Sequence, residues 1–123
     1  MIFFNNINLE NYRNFNNLNL IFDQKCNILY GSNGSGKTNI LESLSLFEKG
    51  RGFRKDKINN LINFENQGQR FDINSIFIDK DIEYKINIYN SEKNLKKLSI
   101  NNSLELESIK HFESLFSIIY FLP

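Results

Sequence analysis

Three of the six glycines in this 123-residue chain, Gly31, Gly34 and Gly36, fall within six positions, and the only threonine, Thr38, follows two positions later. With Ser32, Asn33, Ser35 and Lys37 they complete the pattern G-x-x-x-x-G-K-[ST]. These residue types suit the holding of a polyphosphate. Glycine admits backbone conformations closed to other residues, so successive N–H groups can face one anion. A helix beginning near Lys37 adds its N-terminal dipole and unpaired N–H groups. Lys37 would reach the β- and γ-phosphates as a point charge, and the Thr38 hydroxyl would ligate Mg²⁺. By itself the pattern specifies a nucleoside triphosphate and no more.

Such a loop works only between a strand and a helix, and the flanking sequence offers both. Cys26-Asn27-Ile28-Leu29-Tyr30 reads as a short buried strand, with Cys26 a small core residue rather than a nucleophile. After the loop, Ile40, Leu41, Leu44 and Phe47 recur at helical spacing, with Glu42, Ser43 and Glu48 on the other side. Lys49 and Gly50 supply the helix stop. Upstream, Ile2 to Leu9 and Leu18 to Phe22 read as strands joined by the polar stretch Glu10 to Asn14. Downstream, Ile58, Leu61 and Ile62 suggest a short helix before a polar loop around Gly68.

From Arg70 to Ile100 the pattern becomes that of an antiparallel sheet. Ile82, Tyr84, Ile86 and Ile88 alternate with polar neighbours behind an Asp79-Lys80-Asp81 turn, and Leu98 and Ile100 mark a further strand. Leu104 to Phe112 reads as a helix and Phe116 to Leu122 as a last buried strand. The expected organisation is a phosphate-loop core over about 1–65, an antiparallel β subdomain over about 70–101, and a helix with a final core strand over about 103–123.

Composition narrows the class. Fifteen Lys+Arg against 14 Asp+Glu leave a net charge of +1, which excludes a strongly basic arm or an acidic tail as the main feature. One cysteine excludes an intrachain disulfide framework and a cysteine zinc knuckle. The run Ile118 to Leu122 is far short of the ~20 apolar residues that cross a bilayer, and the start of the chain lacks a signal-peptide pattern. A cytoplasmic location is expected. The chain has no Ala and no Val but abundant Asn, Ile, Lys and Phe, the composition of an AT-rich coding sequence. Its asparagines therefore carry little prion-like meaning.

The stretch Asn11-Tyr12-Arg13-Asn14-Phe15, then Phe22, then Asn27 through Glu42, then Gly50-Arg51-Gly52-Phe53-Arg54, closely resembles the N-terminus of the RecF family. The resemblance is strong over residues 1 to about 60 and looser beyond. It implies an α/β phosphate-loop ATPase head of the ATP-binding-cassette type, here incomplete, with an antiparallel β subdomain. It also implies ATP and Mg²⁺ as cofactors, ATP-dependent self-association, binding to single-stranded or gapped DNA, and partnership with RecO and RecR in loading a recombinase. The family's Walker B acidic pair and its signature motif lie C-terminal of the matched region. Asp79, at the end of Ser75-Ile76-Phe77-Ile78-Asp79, reads as a hairpin-turn residue rather than a displaced Walker B carboxylate. A truncated or split head that binds ATP but hydrolyses it very slowly is the expectation.

Weaker signals have two readings each. Lys49, Arg51, Arg54, Lys55 and Lys57 form a basic cluster that either contacts DNA phosphates, with Arg51, Arg54, Lys55 and Lys57 as the candidates, or is a solvated loop. Arg13 either touches the nucleotide, as the resemblance implies, or is an exposed arginine. His111 has no partner at ligand spacing and reads as a helix-surface residue, and Glu42 as an ordinary helix-face charge without a catalytic role. Two rival classes stand beside the main reading. One is another phosphate-loop enzyme, although a GTPase N-K-x-D motif is absent and four arginines are few for a kinase lid. The other is a non-functional remnant with Ile118, Ile119, Tyr120 and Phe121 left exposed.

Overall fold

The computed structural model describes residues 2–115, and the strand expected over Phe116 to Leu122 lies outside them. The fold is α/β. Six strands form one sheet: β1 (Ile2–Phe4), β2 (Asn6–Tyr12), β3 (Phe15–Ile21), β4 (Asp72–Asp79), β5 (Ile82–Asn90) and β6 (Lys96–Ile100). Two helices accompany it, α1 (Lys37–Ser45) and α2 (Leu106–Ser114), with short 3₁₀ turns at Ile58–Leu61 and Phe64–Asn66. The strand order is β3-β2-β4-β5-β6, with β1 also on β4, and every named pairing is antiparallel.

The expected strand Ile2 to Leu9 is two strands on one flank of β4. The register moves by one residue between Phe4↔Phe77 and Asn8↔Asn74, which marks a bulge at Asn5–Asn6. Asn6 fills the bulge, its side-chain oxygen accepting the Ile76 N–H at 2.8 Å. The β2–β3 connection is tighter than the polar stretch suggests. Tyr12 pairs with Phe15, leaving only Arg13 and Asn14 at the tip. The β4–β5 hairpin closes at Asp79↔Ile82, with Lys80 and Asp81 at φ 51° and 66°, the two positive values of a type I′ turn.

One sheet face forms the core. Ile7, Leu9, Ile73, Phe77, Ile86, Ile88 and Leu98 are buried with Leu46, Phe47, Leu61 and Phe112, which come from the helices and connections that cover them. Edge-on ring contacts tie the layers together: Phe4–Phe47 at 4.9 Å, Phe4–Phe77 at 5.5 Å and Phe77–Phe112 at 5.3 Å. The other face carries asparagines paired across strands, Asn8 to Asn17 at 3.1 Å and Asn87 to Asn74 at 2.9 Å.

Two expectations fail. Residues Cys26 to Tyr30 form no strand, and Cys26, Ile28 and Tyr30 are exposed, so Cys26 is not a core residue. A strand requires a ladder partner, and among the described residues no strand pairs with this segment. Helix α1 ends at Ser45 rather than near Lys49, and its faces are not those of the apolar spacing. Leu41 is exposed while Glu42, Ser43 and Ser45 are buried. Glu42 meets polar partners from distant segments, while the Ser43 and Ser45 hydroxyls donate to the Ile40 and Glu42 carbonyls of the helix itself.

Candidate functional site

Gly31 to Ser35 form an exposed loop that leads into α1. The Ser35 N–H donates to the Ser32 carbonyl at 3.2 Å, which closes a turn at Asn33–Gly34. Gly34 has φ +82° and Gly36 φ +105°, both in the left-handed region that glycine enters without strain. Gly36 caps α1, its carbonyl accepting the Ile40 N–H at 3.0 Å. The Lys37 ammonium reaches back to donate to the Gly31 carbonyl, so the cation spans the loop from its end to its start. Thr38 is exposed in the first turn of α1.

The hairpin tip between β2 and β3 packs against this loop. A Cβ on Gly36 would stand 2.6 Å from Phe15 Cζ and 2.7 Å from Asn14 Nδ2, so only glycine lets loop and hairpin approach this closely. The Asn14 amide donates to the Ser35 carbonyl at 3.3 Å and accepts from Asn39 Nδ2 at 2.8 Å. Asn39 in turn accepts from Arg54 Nη1 at 2.8 Å.

Behind the loop, Glu42 is fully buried and gathers three donors. The Tyr12 hydroxyl reaches Oε1 at 2.7 Å. Arg13 makes a two-pronged contact, Nε to Oε1 and Nη2 to Oε2, both at 2.9 Å. Arg54 lies 3.4 Å from Oε1. Arg13 also bridges to Asp56 at 3.0 Å. Burial, with the Glu42 carboxylate beside it, pushes the Tyr12 phenol well above its usual range. The Glu42 hydrogen bonds hold the Arg13 guanidinium protonated more firmly still. The Asn60 side chain, the Lys57 N–H and Arg13 hold the Asp56 carboxyl below its ordinary value. From the far side, Lys96 donates to the Leu46 and Glu48 carbonyls, both at 2.9 Å, and tethers the end of α1 to β6; burial lowers the Lys96 ammonium.

The structure therefore brings Gly31 to Thr38 together with Arg13's neighbour Asn14 and with Arg54, and it separates the basic cluster. Arg51, Arg54, Lys55 and Lys57 are all exposed, but the Arg54 guanidinium is engaged, donating to Asn39 and lying 3.4 Å from Glu42. Arg13 is neither free at the surface nor in contact with the phosphate loop; its guanidinium belongs to Glu42 and Asp56. Asp79 closes the β4–β5 hairpin, and His111 is exposed on α2. Among the described residues no three His, Cys, Asp or Glu are grouped to hold a metal ion. Glu42, Asn14 and Asn39 escape a reading of spacing alone. The one signal for Glu42 is the pair of small residues beside it, Ser43 and Ser45, which leaves room for close approach on that side of the helix.

The family profile described as RecF/RecN/SMC N terminal domain matches residues 3–115. The DNA replication and repair protein RecF of Rickettsia conorii is 60% identical over 60 residues, which are 49% of this chain and 17% of that protein. The protein of the same name from Clostridium acetobutylicum is 35% identical over 124 aligned residues, covering 99% of this chain and 33% of that protein. The chain thus spans a third or less of the length of these relatives. A solved structure of the recombination mediator protein RecF with ATP superposes with a TM-score of 0.82 and 28% identity, over 99% of this chain and 33% of that one. A structure from work on ATP-driven dimerization of SMC ATPases, at 18% identity and TM-score 0.71, shares the fold.

Proposed function

This chain belongs to the RecF/RecN/SMC N-terminal domain family, and on that premise we propose that its Gly31–Thr38 loop binds ATP with Mg²⁺ in the service of DNA repair and replication restart. The observation that carries the reading is the conformation of the loop. Two left-handed glycines turn it, the Ser35 carbonyl accepts from Asn14, and Lys37 already reaches across it to Gly31. A bound triphosphate would offer the ammonium anionic oxygens in place of that carbonyl, a stronger charge-assisted contact. The exposed Thr38 hydroxyl, one residue into the helix, is the group that would hold Mg²⁺, which when bound supplies charge neutralisation at the phosphates.

Asp79, the Walker B candidate at the end of β4, is committed to a hairpin, so the proposal gives it no part in hydrolysis. The exposed cations Arg51, Lys55 and Lys57 are the candidates for contact with DNA phosphates. Kinship with RecF suggests single-stranded or gapped DNA, RecO and RecR, and a second nucleotide-bound copy as partners. No helix among the described residues is long and apolar enough to cross a membrane, and a cytoplasmic location is part of the proposal.

Titration of ATP–Mg²⁺ against the purified chain tests the reading. At a hundredfold excess over Kd, binding stabilises the folded state by about 2.7 kcal/mol, and Lys37→Ala should abolish the shift. Absence of a saturable rise in melting temperature would sink it.

A further inference from the structure

The hydrogen bonds from Arg54 to the phosphate loop run in one direction. Arg54 Nη1 donates to Asn39 Oδ1 at 2.8 Å, Asn39 Nδ2 to Asn14 Oδ1 at 2.8 Å, and Asn14 Nδ2 to the Ser35 carbonyl at 3.3 Å. A guanidinium can only donate, so the Asn39 oxygen must face it. That leaves the Asn39 NH₂ for Asn14, and the Asn14 NH₂ for Ser35. The string is polarised from its charged end, and Glu42, 3.4 Å from the same Arg54 nitrogen, helps to hold that end in place.

The Ser35 carbonyl is the acceptor that matters. An anion-binding loop needs its N–H groups turned inward, which turns carbonyls outward, where a fixed side-chain donor holds a peptide in one orientation as exchanging water does not. We propose that Arg54, Asn39 and Asn14 are positioning residues that fix the orientation of the Ser35–Gly36 peptide, and that Arg54 serves the phosphate loop rather than DNA. The assignment rests on the nucleotide reading of Gly31–Thr38 for its purpose, and on the geometry alone for its existence.

Asn14→Asp isolates the string, because it keeps size and shape while replacing the donor by an oxygen facing the carbonyl. The other charges on the string are Arg54 and, beyond it, Glu42 and Arg13. In amide hydrogen exchange on the full chain near pH 7, exchange at Ser35, whose N–H is held by the Ser32 carbonyl, should quicken about tenfold over wild type, with β4 and β5 unchanged. Below about pH 4 the new carboxyl regains a proton to donate, and the ratio to wild type should fall back toward one. Equal rates at neutral pH, or an acceleration that acid does not reverse, would overturn the proposal. If Asn14→Asp also loosens β4 and β5, Asn39→Asp is read by the same criterion. In wild type the Asn14 side-chain amide protons should exchange slowly, and free exchange there would overturn it too. ATP–Mg²⁺ titrated in parallel separates the two claims. With the exchange pattern intact, no binding to wild type rejects the nucleotide reading alone, whereas equal affinity in wild type and Asn14→Asp rejects the string's role in the site.

Discussion

The Tyr12 hydroxyl donates to the buried Glu42 carboxylate at 2.7 Å, across 30 residues of sequence. That contact joins the end of β2 to the helix that follows the phosphate loop, and Arg13 reinforces it from the next position. A fully buried carboxylate is tolerable only when its oxygens are satisfied, and here three side chains from two segments satisfy them.

Removing that charge should loosen the site as well as the fold. Glu42→Gln strips Arg13 and Arg54 of their shared anion and should cost about 2–3 kcal/mol. This lies between an exposed and a fully buried ion pair, because Arg13 retains some solvent contact. Chemical denaturation measures it. A double-mutant cycle with Arg13→Met should return a coupling energy well above the scatter for independent sites. Additive losses would show that Glu42 and Arg13 do not act together.

Tyr12 gives the network an alkaline limit. Its phenol is raised above the ordinary 10.0 in the folded chain, so the folded state holds the proton more tightly than the unfolded state. The contribution is complete below about pH 10 and declines as pH rises beyond it, where the unfolded chain ionises this tyrosine first. Tyr12→Phe should cost about 1 kcal/mol at neutral pH and flatten the fall in stability above pH 10. Denaturation midpoints across that range decide the matter.

How much of this was legible follows from where partners come from. The β4–β5 hairpin could be read because alternation at Ile82, Tyr84, Ile86 and Ile88 and the Asp79-Lys80-Asp81 turn are local signals. The glycine pattern is likewise local, and the structure places it in an exposed loop before α1. Cys26 to Tyr30 misled because apolar composition reports a preference for burial and cannot supply a neighbouring strand. Glu42 misled because helical spacing treats a carboxylate as solvent-facing, while its partners Tyr12, Arg13 and Arg54 lie in other segments. Asn14 and Asn39 were hidden among many asparagines that the coding bias would supply in any case.

Two glycines of the loop should respond differently to the same methyl group. Gly34 has φ +82° with open space around its Cβ position, so Gly34→Ala meets only backbone strain of about 1 kcal/mol. Gly36→Ala meets φ +105° and also the Phe15 ring and the Asn14 amide at under 3 Å, adding an overpacking cost of about 1–3 kcal/mol. Thermal melts of the two variants should rank them in that order. Equal losses would mean that the hairpin tip yields freely and does not brace the loop.

The basic loop offers a prediction that separates cations by where they point. If the chain binds DNA through exposed charge, affinity falls with salt, and each phosphate contact removed should lower the slope of log K against log salt by about one. Lys55 and Lys57 are exposed, and Lys55→Ala and Lys57→Ala should each reduce that slope. Arg54 is tied to Asn39 and Glu42, so Arg54→Ala should leave the slope near its wild-type value while weakening ATP–Mg²⁺ binding. Filter binding or anisotropy with a gapped duplex over a salt series reads the slope directly. A slope lowered as much by Arg54→Ala as by Lys57→Ala would place Arg54 on DNA, and slopes unchanged in both lysine variants would move the DNA contact elsewhere on the chain.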